Sequence, residues 1–190
     1  MIVTMLAAPA AEPVGLAEAK AYLRISRSSE DGLVLHLIAA ARSLIEEATG
    51  VAMITRNLRA ALDWWPRGTA ERRWLRLPVR PAGALIAVRV FDGHGEPVTV
   101  TSRFTLPVGR QAKLMWTDGA FPWPGQRIGG IEIDYAAGFG EAPDDIADGL
   151  RLAVKRLAAH AYAARDPESI AGALPVDVAG LVAPWRRVGL

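Results

Sequence analysis

Residues 131–165 read IEIDYAAGFGEAPDDIADGLRLAVKRLAAHAYAAR, and the two halves of the stretch follow different periods. In the first half Ile131, Ile133 and Tyr135 alternate with Glu132 and Asp134, the pattern of a strand with one face buried. After Pro143, Ile146, Leu150, Val154, Leu157 and Ala161 recur at helical spacing. Asp144, Asp145 and Asp148 stand in the opening turns of that helix. Arg151, Lys155, Arg156 and Arg165 come later, so the charges complement the helix dipole. One chain therefore carries both element types, and the sections on either side decide how they combine.

Upstream, residues 51–140 consist of short β-prone runs punctuated by Gly and Pro: Thr55–Leu62, Arg73–Leu77, Leu85–Phe91, Pro97–Thr101, Lys113–Trp116 and Ile131–Tyr135. The clearest hairpin places Asp92-Gly93 between two such runs. Earlier still, residues 13–50 are helical. Gly15 with Glu18 suggests a cap for a helix over about 16–25, and Ser28 with Asp31 suggests a second cap. Leu33, Leu37, Ala40, Ala41, Leu44 and Ala48, flanked by Val34, Ile38 and Ile45, form a stripe wide enough to pack on more than one side. Gly50 ends that helix.

The expected fold is α+β. N-terminal helices and a long C-terminal helix (141–165) form a helical core, with an inserted antiparallel β subdomain at 51–140. Residues 1–12 read as a mobile N-terminal arm. Residues 166–190 read as an extended C-terminal arm, broken by Pro and Gly, with one helical turn near Val178–Val182. Leu174, Leu181, Val182 and Trp185 suit this arm for docking.

Composition narrows the function. The 190 residues are 51% hydrophobic and 22% charged, which suits a folded chain with a sizeable core. There is no cysteine, so disulfide scaffolds, thiolate metal sites and cysteine catalysis are excluded. The three histidines are His36, His94 and His160; His94 lies in a turn and His160 reads as a packed or surface residue. Asp144/Asp145 and Glu46/Glu47 are adjacent on helices and diverge, so neither pair makes a two-sided acid–base site. No phosphate loop, dinucleotide fingerprint or nucleophile elbow is present. No apolar run approaches the ~18 residues needed to span a membrane, and the N-terminal residues lack the basic region of a signal peptide. No catalytic, cofactor or metal site is expected. The net charge is +2, yet residues 51–140 carry twelve basic and seven acidic groups while both flanks are mildly acidic. Trp74 beside Arg72, Arg73 and Arg76 suggests base stacking, or one polar and one buried face of a strand.

The ordered motifs resemble a known family. PVGLAEAKAYLRI (13–25) supplies Pro13, Leu16, Glu18, Ala19, Lys20, Leu23, Arg24 and Ile25. SEDGLVLHLIAAARSLIEEATG (29–50) supplies Glu30, Asp31, Ile38, Ala40, Ala41, Arg42, Glu46, Thr49 and Gly50. These resemble the opening of the phage head–tail connector family, the head-completion adaptors of long-tailed phages and gene transfer agents. LPVRPAGALIAVRVFDGHGE, IEIDYAAGFG with Pro143 and Ile146, then His160, Tyr162 and Arg165, and LPVDVAGLVAPWRRVGL continue the likeness across nearly the whole chain.

The resemblance implies a non-enzymatic subunit of a dodecameric ring at the capsid–tail junction, assembled in the bacterial host cytoplasm. Its partners would be the portal protein above, a stopper or other neck protein below, further copies of itself, and double-stranded DNA passing without sequence readout. Leu181, Val182, Trp185, Arg186, Arg187 and Leu190 would grip the portal or an adjacent subunit. Arg72, Arg73 and Arg76 would meet DNA in the channel. Another neck or tail component (stopper or tail terminator) and a small ligand-binding or enzymatic domain are the alternatives.

Overall fold

The computed structural model describes residues 1–164 and 174–186. In chain order the elements are β1 (Ile2–Met5), α1 (Leu16–Leu23), α2 (Asp31–Thr49), β2 (Arg56–Leu62), α3 (Thr69–Arg72), β3 (Trp74–Arg76) and β4 (Ala82–Phe91). They continue with β5 (Pro97–Thr99), β6 (Phe104–Thr105), β7 (Lys113–Trp116), β8 (Ile131–Ala137), α4 (Asp148–Ala164) and α5 (Val176–Val182). The α+β expectation holds. Two compact units are present, one formed by Met1–Pro9 with Thr55–Gly138 and the other by Ala10–Ile54 with Phe139–Leu190.

In the helical unit the 3.6-residue period sets the packing. Val34, Ile38, Ala41 and Ile45 of α2 and Leu150, Ala153, Val154 and Leu157 of α4 are all within 3% of full burial and belong to one apolar cluster. Gly50 takes the left-handed conformation and its N–H bonds the Glu46 carbonyl at 2.8 Å, which stops α2. The chain then runs inward. Val51, Met53 and Ile54 join the helical cluster although their sequence reads as the start of the β section. The backbone N–H of Met53 is satisfied there by the Glu46 carboxylate at 2.7 Å, and Arg42 links Glu46 to Glu12.

Gly15 is the N-cap of α1 as expected, but Glu18 does not bond back to it, and the expected Ser28–Asp31 cap does not form; neither α1 nor α2 has a side-chain cap. Glu18 bonds Lys155 at 2.9 Å and Arg151 at 3.0 Å, tying α1 to α4, and Asp31 pairs with Lys20. A cation on a packed neighbour gives a carboxylate a charge-assisted bond, which outcompetes a solvated backbone N–H.

The other unit holds a five-stranded antiparallel sheet ordered β1-β2-β8-β4-β5 and a three-stranded sheet ordered β3-β7-β6. Strand β8 is central. Ile131, Ile133 and Tyr135 are fully buried; opposite them Leu58, Ala60 and Leu62 on β2 and Val88 and Val90 on β4 are buried, and Leu85 on β4 is partly so. The reverse face departs from the expected half-buried strand, because Asp134 is only 3% exposed. Arg59 on β2 donates to it at 2.7 and 2.9 Å and Arg89 on β4 at 2.7 Å, so three adjacent strands share one buried carboxylate. The N-terminal residues, read as a mobile arm, are instead pinned at Ile2–Met5 by pairing with β2; a β-branched run costs little to add to a sheet edge. In the β4–β5 hairpin the left-handed glycine is Gly95, and the Asp92 carboxylate accepts the His94 and Glu96 N–H groups.

The Arg59 hydrogen bond holds the Asp134 carboxyl below its ordinary value against the opposing effect of burial, with Arg89 adding to the depression. The stabilisation is therefore complete above the unfolded value near ~3.9 and is lost as pH falls through the lower folded value. Asp134→Asn is expected to cost about 2 kcal/mol at neutral pH. It should also flatten the loss of thermal stability between neutral pH and about pH 3, measured as melting temperature against pH.

Candidate interaction surfaces

On the three-stranded sheet the register sets Trp74 opposite Met115 and Arg76 opposite Lys113. Like charges directly opposite one another destabilise a strand pair. Around the half-buried Trp74 ring lie Lys113 Nζ at 4.9 Å, the Arg72 guanidinium at 5.5 Å and that of Arg76 at 5.9 Å. None of Arg72, Arg76 and Lys113 forms an ion pair with a carboxylate among the described residues. Two backbone hydrogen bonds join Ala82 to Gly109, and Leu77 N–H bonds the Ala112 carbonyl, so segments 77–82 and 109–112 run side by side. Arg80 and Arg110 are thereby brought to the same margin. Burial pushes the Arg80 guanidinium below its ordinary value, and the charges of Arg110 and Arg76 push in the same direction.

Arg73 is different. It occupies the left-handed C-cap position of α3, lies 4.3 Å over the Trp116 ring and donates to the Thr117 carbonyl at 2.9 Å. The structure thus separates the three expected DNA contacts: Arg72 and Arg76 face the cation cluster, whereas Arg73 is committed to holding β3 against β7. Arg80, Arg110 and Lys113 were not singled out from sequence. Lys113 was legible as the first residue of an expected strand, but its register against Arg76 was not.

The aromatic residues of this unit form a chain. Trp65 is buried, stacks on Phe104 at 5.6 Å and donates to the Pro122 carbonyl at 2.6 Å. Phe121 joins Trp65, Trp116 and Trp123, and Trp123 stacks on Trp64. Trp64 and Trp123 are about half exposed, at 49% and 56%, and make a surface pair that a partner can bury.

In the helical unit, the described part of the tail is folded rather than extended. Val178 and Val182 of α5 are fully buried, and Leu174 and Leu181 pack on the same cluster. Trp185 meets Phe139 edge to face at 5.3 Å. Asp177 accepts from His160 at 3.0 Å; burial raises its carboxyl, but the His160 bond and charge bring it below the ordinary value. Of the expected grip residues, Leu181, Val182 and Trp185 are thus engaged in their own unit, Arg186 is exposed, and Arg187 and Leu190 lie outside the described residues. On α2, Leu33 and Leu35 remain about half exposed, and two positions apart on a helix they point to different sides.

Among the described residues no group of three or more His, Cys, Asp or Glu side chains is placed to hold a metal ion, and no helix is long and apolar enough to cross a membrane.

No family model matches the chain, and no curated protein matches it. Solved structures do. The chain is similar to one in the virion of a native gene transfer agent (GTA) particle, with a TM-score of 0.82 and 29% identity over 100% of this chain and 97% of that one. It is similar to a chain in the neck of an empty GTA particle computed with C6 symmetry, at TM-score 0.81 and 29% identity with the same coverage. A chain in the neck of a native GTA particle computed with C12 symmetry matches at TM-score 0.81 and 28% identity, again with the same coverage.

The different roles of neighbouring arginines are testable by thermal melts. Arg73→Ala is expected to cost about 1 kcal/mol through lost charge-assisted bonds. Arg76→Ala should stay within about 0.5 kcal/mol of the parent, since it relieves a like-charge pair.

Proposed function

We propose that this chain is a structural subunit of the neck of a phage-like or gene-transfer-agent particle, where it forms the adaptor ring beneath the portal. The observation that carries the reading is similarity over the full chain, at 29% identity, to chains of GTA virion and neck structures. Neck reconstructions computed with C6 and C12 symmetry support a cyclic array. The role is mechanical: copies bury apolar surface against one another, and the ring joins capsid to tail with no chemical turnover.

A closed ring uses two different patches of each copy, one for each neighbour. Leu33 and Leu35, half exposed on different sides of α2, are our candidates for contacts in these patches; the helical section then builds the ring wall. The portal grip falls to the end of the chain. Since Val178, Val182 and Trp185 pack within the helical unit, their part is to seat α5, which leaves the portal contacts to the exposed Arg186 and to Arg187 and Leu190, which lie outside the described residues. An adaptor is favoured over a stopper or tail terminator by the ordered sequence motifs and the Trp-Arg-Arg ending.

Two variants test this. A chain ending at Arg186 removes residues 187–190 and leaves α5 intact, so its melting temperature is expected to stay within a few degrees of the parent. Its recovery on portal-containing capsids should fall at least tenfold; unchanged recovery would remove the portal grip from this segment. Leu33→Asp with Leu35→Asp is expected to leave the monomer folded but to abolish rings seen by electron microscopy of particle necks, because it places charge in a desolvated interface.

A further inference from the structure

We propose that the Trp74–Met115 face of the three-stranded sheet, rimmed by Arg72, Arg76 and Lys113, docks the acidic segment 141–148 of a second copy of this chain. The inference rests on the neck reading for its setting; a cyclic array requires two different patches on each copy, but leaves open which they are and by what chemistry they meet. Trp74 stands opposite Met115 and Arg76 opposite Lys113, so these four side chains share one face of the β3–β7 pair. Leu75 and Leu114 take the other face and are buried. On the open face Met115 is 41% exposed and Trp74 is half buried, which leaves a small apolar centre uncovered. Lys113 Nζ and the Arg76 and Arg72 guanidinium groups lie within 6 Å of the Trp74 ring, and none of the three forms an ion pair among the described residues. Aromatic, Met and Arg side chains are the types that protein interfaces enrich, and Trp with Arg dominates their energetic centres.

The chain itself carries the complement. Residues 141–148 read EAPDDIAD, four carboxylates with no cation among them, and all four are exposed. Asp145 accepts the Ala142 N–H at 3.0 Å, and Asp144 pairs with Arg151 at 3.1 Å while its side chain stays 90% exposed. Glu141 and Asp148 form no ion pair among the described residues. Ala142 is exposed between the charges and offers an apolar contact for Trp74 and Met115. The cationic face belongs to one compact unit and the acidic segment to the other, so each copy can present one to each neighbour, as a closing heterologous contact requires. The wider charge distribution agrees: residues 51–140 carry twelve basic and seven acidic groups, and both flanks are mildly acidic. Opposed potentials of this kind fix register and exclude wrong pairings. A phosphodiester backbone would satisfy the cations, but protein–DNA interfaces are more polar and give Trp74 and Met115 little apolar surface to bury against.

The chain has no cysteine, so an introduced pair reports only the contact it spans. Met115→Cys/Ala142→Cys leaves every charge in place. Treated with a short bis-maleimide, this variant is expected to give a ladder of covalent multimers on denaturing gels, from the concentrated purified chain or from purified particles, and neither single variant should give one. A cross-linked monomer without a ladder would place both surfaces in one copy and overturns the proposal. So does the absence of a ladder in both samples, or a dimer from either single variant. Charge exchange is the second arm. Arg76→Glu/Lys113→Glu and Glu141→Lys/Asp148→Lys should each lower recovery of the chain on particles about tenfold, and the two together in one chain should restore it. If the reversed cations melt early, Arg76→Glu with Asp148→Lys carries the same exchange. A combined variant that regains nothing overturns the docking; if the reversed cations also abolish binding of a labelled DNA duplex, the surface belongs to nucleic acid. Mass spectrometry of particles keeps the two readings apart: a ladder from the purified chain with no parent chain in particles defeats the neck reading alone, whereas parent chain in particles with no ladder defeats this inference alone.

Discussion

Asp134 is a carboxylate buried in the middle of a sheet, and such a charge is tolerable only when cations and hydrogen bonds replace the lost water. Arg59 and Arg89 do this from the strands on either side, and Glu132 adds a second carboxylate to the same pair of arginines. The network fixes the order and register of β2, β8 and β4. A slip of one residue would turn Ile131, Ile133 and Tyr135 outward and leave Asp134 unpaired among apolar side chains. With the central sheet fixed, the hairpins and the three-stranded sheet have a frame, and the Trp74 cation cluster can carry unfavourable like-charge contacts.

The helical unit applies the same rule to different groups. Glu46 is buried, and Arg42 and the Met53 N–H satisfy it. Its position fixes how the chain leaves α2 and why Val51–Ile54 turn back into the helical cluster. Glu18 ties α1 to α4, and Tyr162 near the end of α4 donates to Glu30 just ahead of α2. Each unit thus has its own buried carboxylate and its own apolar set.

The periods in the sequence made the element types and the larger sections readable. The strand at 131–137, the helix ending at Gly50 and the helix after Pro143 all follow from spacing, a left-handed glycine or a charge gradient. Local chemistry misled where a distant partner competed: Glu18 and Asp31 look like capping residues until lysines from other elements reach them. Val51–Ile54 fall in the expected β section because an apolar run after Gly50 suits both a sheet and the floor of a helical core. In the candidate surface, Arg72 and Arg76 were legible from their neighbours in the chain. The separate fate of Arg73 depends on a left-handed turn and on carbonyls more than forty positions away. Lys113, Arg80 and Arg110 depend on cross-strand register, which composition does not encode. Apolar tail residues suggested a free arm, yet the same residues fill the chain's own helical cluster.

The exposed features of the chain are the half-exposed leucines of α2, the Trp64–Trp123 pair, the cations around Trp74 and Arg186 after α5. The most direct test is a reconstruction of the neck of particles produced by a strain expressing this chain, computed without imposed symmetry. The account predicts one closed ring of copies of this chain next to the portal, with its fold fitting the density as one α+β subunit per asymmetric position. A neck built without the chain, or the chain located only further down the tail, would contradict it.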